Sequence, residues 1–203
     1  MELIYVLDIA GTLVFAVSGA LQANRHQLDF LGFMVLAVST GVGGGIMRDM
    51  MLGATPPAVF QDEIYLIVCV VGGLVVFRSA PPIARRWNRV LIADAIGLGV
   101  FAAIGASKGY AFGLGPLGVM MMAALTATGG GVVRDLLVGE VPAVIKSGFY
   151  ATAALIGGLV YWSLGGLELL EPIRLTLTAL ATTGLRFWAM KRRVNLPTAT
   201  AID

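Results

Sequence analysis

The chain has 203 residues, of which 58% are hydrophobic and only 13% charged, and its mean hydropathy is +0.87. Soluble domains run at about 25% charged, so a soluble fold of this size is excluded and a polytopic membrane protein in one domain is implied. The net charge of +2, with no basic tract carrying interleaved aromatics, argues against a nucleic-acid partner.

Apolar runs long enough to cross a bilayer, about 17–25 residues, recur seven times. The first, 3–22, carries Asp8, Phe15 and Ser18; because Met1-Glu2-Leu3 lacks a basic n-region and no small-residue cleavage site follows, it is expected to be a retained span. His26, the single histidine, falls in a polar connection, so no His-based metal or relay cluster is expected. The second run, 29–52, contains Thr40, Gly43-Gly44-Gly45 and the pair Arg48-Asp49. The third, 61–78, holds the lone Cys69, expected as a buried apolar thiol. Pro81-Pro82 then interrupt any helix, which makes Arg78–Arg89 a linker between halves. The fourth run, 90–107, carries Asp94 and Phe101; the fifth, 115–138, carries Thr126, Gly129-Gly130-Gly131 and Arg134-Asp135. The sixth and seventh are 146–164 and 172–190, the last with Arg174 and Arg186.

The chain repeats itself at an offset of 86 residues. Without a gap this pairs Asp8 with Asp94, Phe15 with Phe101, Gly19 with Gly105, Thr40 with Thr126, Arg48 with Arg134, Asp49 with Asp135, Pro56 with Pro142 and Gly72 with Gly158. Each copy holds three spans, and an odd number inverts the second copy in the membrane, the plan of many solute-moving proteins. The expected fold is therefore all-α: seven transmembrane helices, as a three-helix repeat over 1–79, an inverted repeat over 90–165, and a seventh helix with basic tail over 170–193, all one domain across 1–203. Arg78, Arg85, Arg86, Arg89 and Lys191-Arg192-Arg193 fall on one side of that threading. The positive-inside rule makes this side cytoplasmic, with the N-terminus outside and the C-terminus inside.

Consecutive glycines weaken a helix, each by about 1 kcal/mol against alanine. One reading is close helix packing through small residues; the other is a kink or unwound turn at Gly43–Gly45 and Gly129–Gly131, with backbone groups facing a polar path. Thr40 and Thr126 either back-bond to their own helices or offer hydroxyls to a passing ion. Adjacent residues point about 100° apart on a helix, so Arg48 and Asp49 are not expected to face each other. Depth matches Asp8 with Arg48 near one surface and Asp94 with Arg134 near the other. These charges either tie spans together or ring two mouths of a pathway whose waist is at the glycines. No catalytic constellation is present, and Gly-Val-Gly-Gly-Gly lies mid-span without the strand and Lys-Ser/Thr of a nucleotide loop. No enzyme activity and no cofactor are expected.

Two copies of Gly-Gly-Gly-x-x-Arg-Asp, each followed by a Gly and a Pro, resemble the prokaryotic branch of the TRIC (trimeric intracellular cation) channel family over residues 5–165. The resemblance implies a homotrimer in a plasma membrane, surrounded by lipid, with one pore per protomer lined by the second and fifth spans and passing monovalent cations, chiefly K⁺. The glycine-transporter label carried by bacterial members supplies the alternative of a carrier for a small neutral solute. An arginine at each mouth repels cations unless Asp8, Asp49, Asp94 and Asp135 offset it.

Overall fold

A computed structural model describes residues 2–79, 88–146, 149–167, 169–192 and 194. The described residues are all-helical: α1 (Glu2–Arg25), α2 (Phe30–Met51), α3 (Ala58–Gln61), α4 (Ile64–Ser79), α5 (Asn88–Ala111), α6 (Pro116–Leu137), α7 (Ala143–Lys146), α8 (Ala151–Leu164) and α9 (Glu171–Arg192). Most of the linker expected over Arg78–Arg89, and the tail from Arg193 apart from Val194, lie outside the described residues. Four helices, α1, α2, α5 and α6, are long and apolar enough to cross a membrane, while α4 and α8 are shorter apolar helices.

Local chemistry sets the ends. Asp29 caps α2 by accepting from the Gly32 amide at 2.8 Å, and Pro116 opens α6, where its missing N–H is no loss. Both α2 and α6 close on a glycine with positive φ, Gly53 (+69°) and Gly139 (+71°), a conformation that side chains with a Cβ resist. The following amides, Ala54 and Glu140, return to the carbonyls of Asp49 and Asp135. Each turn leads into a short helix, α3 or α7.

Each repeat is a helix triplet around its own core. One core joins α1, α2 and α4 through Leu36, Ala37, Cys69 and Val76; the other joins α5, α6 and α8 through Leu98, Val119, Ala123 and Tyr161. Helix α9 packs on α5 and α8, outside both triplets. The repeats meet where α1 lies on α5 and α2 crosses α6. Large apolar side chains such as Leu31, Val35, Ile67, Val71, Val75, Leu117, Met121 and Leu180 face outward, the surface a lipid bilayer would cover.

The repeat register changes midway. The offset of 86 holds as far as Pro56 and Pro142, but Pro57 is an extra residue in the first copy, and beyond it the offset is 85. Ala58 then matches Ala143, Tyr65 matches Tyr150, and Gly72-Gly73 match Gly157-Gly158. The packing confirms it: a Cβ on Gly73 would meet Met34 and Ala37, and one on Gly158 would meet their counterparts Met120 and Ala123. The expected pairing of Gly72 with Gly158 is corrected accordingly.

Candidate functional site

The triple glycines stand at the crossing of α2 and α6, and both helices run through them unbroken. The expectation of an unwound turn is not met, because each glycine has a packing role instead. A Cβ on Gly44 would collide with the Thr126 carbonyl oxygen, and one on Gly130 with the Thr40 carbonyl oxygen. A Cβ on Gly129 would lie 3.1 Å from the Gly44 Cα, and one on Gly43 3.5 Å from the Gly130 Cα. The third glycine lies toward its own helix's arginine: a Cβ on Gly45 would stand 3.6 Å from Arg48 Nη2, and one on Gly131 would stand 3.4 Å from the Tyr150 hydroxyl and 3.8 Å from Arg134 Nη2.

Thr40 and Thr126 are buried and donate to Leu36 and Met122 carbonyls at 2.6 Å each. They lie under Gly19 and Gly105, whose missing side chains let α1 and α5 approach. Phe15 and Phe101 pack against each other with ring centroids 5.0 Å apart and planes tilted by 58°, both buried near the same crossing.

The charged residues gather at two separate ends. At the first, Arg48 is 1% exposed. Its Nε donates to Asp49 Oδ1 at 2.8 Å, and its Nη2 stands 3.7 Å from Asp8 Oδ2. Tyr65 donates to the same Asp8 oxygen at 3.2 Å, and Lys108 Nζ to Asp49 Oδ1 at 3.0 Å. Arg48 Nη1 is buried without a partner. Asp8, Arg48, Asp49 and Tyr65 line a void of only 10 Å³ with Thr12, Gly45 and Phe101, about the space for one water centre.

At the second end, Arg134 Nη1 contacts Asp94 Oδ1 directly and donates to Ser18 Oγ at 2.6 Å. Its Nε donates to Asp135 Oδ1 at 2.9 Å. Asp94 also accepts from Ser18 at 2.9 Å and from Tyr150 at 2.7 Å. This group opens onto a cavity of 510 Å³ lined also by Arg25, Glu140, Lys146 and Arg186. In both ends the aspartate after the arginine spends its second oxygen on a helix start: Ala58 N donates to Asp49 at 3.1 Å and Ala143 N to Asp135 at 2.8 Å.

The depth-matched pairs Asp8–Arg48 and Asp94–Arg134 are thus present. The expectation that neighbours Arg48 and Asp49, or Arg134 and Asp135, do not meet is corrected. Spacing rules describe where Cβ atoms point, and the arginine stem is long enough to curl its Nε back to the adjacent carboxylate. Tyr65 and Tyr150 were not singled out by sequence; allowing one gap after Pro56 aligns them, and that was the available signal. Ser18 carried little weight as a lone small polar residue, yet it reaches across from the first repeat to the second repeat's arginine. Ser107 pairs with Glu171 at 2.8 Å, away from both arginines.

Two helix triplets, crossing at glycines and holding a charged cluster at each end, define a polytopic all-α membrane protein. Residues 5–80 and 91–165 each match the family model described as Glycine transporter. A UPF0126 membrane protein of Vibrio cholerae is 40% identical over 97% of this chain and 83% of its own length. Among solved structures, the TRIC trimeric intracellular cation channel orthologue from Rhodobacter sphaeroides superposes with a TM-score of 0.90 at 34% identity, covering 96% of this chain and 100% of that one. A further structure, concerned with conductance through TRIC cation channels, gives 0.89 at 38% identity, covering 98% of both chains. The chain belongs to this family of prokaryotic TRIC-type proteins, whose sequence model bears the glycine-transporter name.

Proposed function

We propose that this protein is a passive channel for monovalent cations, K⁺ foremost, assembled as a homotrimer with one pore in each protomer. The observation that carries the reading is the likeness in shape, TM-scores of 0.90 and 0.89 over nearly the whole chain, to proteins described as TRIC cation channels. The pathway would run between α2 and α6, with its waist at Gly43–Gly45 and Gly129–Gly131 and Thr40 and Thr126 beside it. Asp8, Arg48 and Asp49 form one mouth, and Asp94, Arg134 and Asp135 the other. Seven helices would span the plasma (inner) membrane, with the N-terminus outside and the basic C-terminus cytoplasmic. The channel needs neither a catalytic group nor a cofactor.

A carrier for a small neutral solute such as glycine is the second reading. It is favoured by the unequal ends, 510 Å³ at one and 10 Å³ at the other, since a carrier opens to one side at a time. Purified protein in planar bilayers under a K⁺ gradient separates the two. Unitary currents reversing near the K⁺ potential are expected, and they should vanish in the Gly44→Leu/Gly130→Leu double variant. Saturable glycine uptake without unitary currents would establish the carrier instead, and silence in both assays would remove both readings.

A further inference from the structure

We infer that the cavity at the Arg134 end binds a small oxyanion from solution, with Arg186 as its principal ligand. Arg186 sits on α9, which belongs to neither repeat, so it has no counterpart at the Arg48 end. Its side chain is only 8% exposed overall and lines the 510 Å³ cavity. The guanidinium lies 4.9 Å from the centre of the Tyr150 ring and makes no hydrogen bond or ion pair with any described residue. A buried cation without an anion in direct contact is costly; Asp94 acts on Arg186 only through space, and the neighbouring carboxylates are already engaged. Asp94 serves Arg134, Ser18 and Tyr150. Asp135 serves Arg134 and the Ala143 amide. Glu140 serves His26 at 3.0 Å and Arg25 at 3.5 Å.

Among the described residues the lining holds four cations, Arg25, Arg134, Lys146 and Arg186, against three anions, Asp94, Asp135 and Glu140, an excess of one positive charge. The planar guanidinium fork matches two oxygens of a carboxylate or phosphate. The volume is of the order of small-molecule sites, about 300–1,000 Å³. The rim is built by Gly139, Glu140 and Val141 of the α6–α7 connection and by Arg25 at the end of α1, with exposed Lys146 as a second contact. Connections of this kind lie at the aqueous face, which favours a solution anion over a lipid headgroup. Under the channel reading, the bound anion cancels the excess charge that would otherwise turn cations away from Arg134; the binding itself does not depend on that reading.

The test uses purified full-length protein with inorganic phosphate as probe at fixed ionic strength, read by melting temperature and by binding of radiolabelled phosphate. Wild type should show a saturable response; the general salting effect of phosphate is unsaturable and shared by every variant. Arg186→Gln should weaken phosphate at least about tenfold, with Arg186→Lys intermediate because it keeps charge and loses the fork. Lys146→Gln should weaken it about threefold, as befits an exposed cation. If Arg186→Gln does not fold, Arg186→Lys and Lys146→Gln decide. Unchanged affinity in the folded Arg186 variants, or an unsaturable response in wild type, would overturn the proposal. So would stabilisation seen only when phosphatidylglycerol micelles are added to phosphate-free buffer, which would make the ligand a lipid headgroup. Because the readout is binding and not current, its failure leaves the bilayer experiment standing, and the reverse holds as well.

Discussion

The Arg48 end and the Arg134 end are built from the same parts in different surroundings. Each has an arginine, the aspartate that follows it, an aspartate from the first helix of its repeat, and a tyrosine from the third. At the Arg134 end the arginine touches Asp94 directly and Ser18 bridges the two. At the Arg48 end the corresponding gap is 3.7 Å, Ser18 is replaced by its repeat mate Ile104, and one guanidinium nitrogen has no partner. Lys108 compensates by pairing with Asp49; its own mate is Gln22. Beyond that shell, Arg25, Glu140 and Lys146 of the Arg134 end have as repeat mates Ala111, Ala54 and Gln61. The repeat therefore copies the helices and the charge motif, while substitutions at mate positions change what surrounds each arginine.

The largest test of this contrast is to remove each arginine. Arg134→Gln leaves Asp94 and Asp135 buried without the cation that is hydrogen-bonded to both, at about 3–5 kcal/mol of stability. Arg48→Gln should cost about 2 kcal/mol less, because Lys108 still holds Asp49. Equal losses in denaturant unfolding would break the contrast. Asp94→Asn added to Arg134→Gln should cost less than the sum of the two single changes, since neither charge is then left alone.

At the waist the two halves should behave alike. Gly44→Ala and Gly130→Ala each push a methyl into a threonine carbonyl, and overpacking of this kind costs about 1–3 kcal/mol. That exceeds the gain of about 1 kcal/mol from better helix propensity. Matching destabilisation in thermal unfolding sharpens the picture of a symmetric crossing, and stabilisation of either variant would end it.

The smallest effect belongs to Ser18→Ala. It removes a donor to Asp94 and an acceptor for Arg134, and about 1–2 kcal/mol is expected. The same unfolding measurement would need to detect a change larger than that of an outward-facing substitution such as Val35→Ala.

Much of this was legible beforehand. Asp8 and Asp94 could be matched to Arg48 and Arg134 because both helices of each pair have predictable direction and rise. The glycines were recognisable as special, and of the readings open to them the unwound turn alone is not met. Helix periodicity describes one helix alone and does not say that Gly44 meets Thr126, so it could not choose between close packing and a break in the helix. The contact of Arg48 with Asp49 was hidden because spacing rules ignore the reach of a long side chain. The cavity was invisible for another reason: it depends on where α9 lays Arg186 and on the course of the α6–α7 connection, neither of which has a period to read.

The extra proline at position 57 limits how freely the halves can be exchanged. Grafts ending at or before Pro56 and Pro142 can be swapped residue for residue, since numbering there runs in step. A transplant continuing past that point with the same numbering arrives one residue out of phase, which turns the following helix by about 100°. Tyr65 would then swing off Asp8, and Gly73 would no longer sit against Ala37. Anyone building an idealised tandem from this chain, or tracing how its ancestor doubled, must treat the joint after the second helix as the place where the two copies parted.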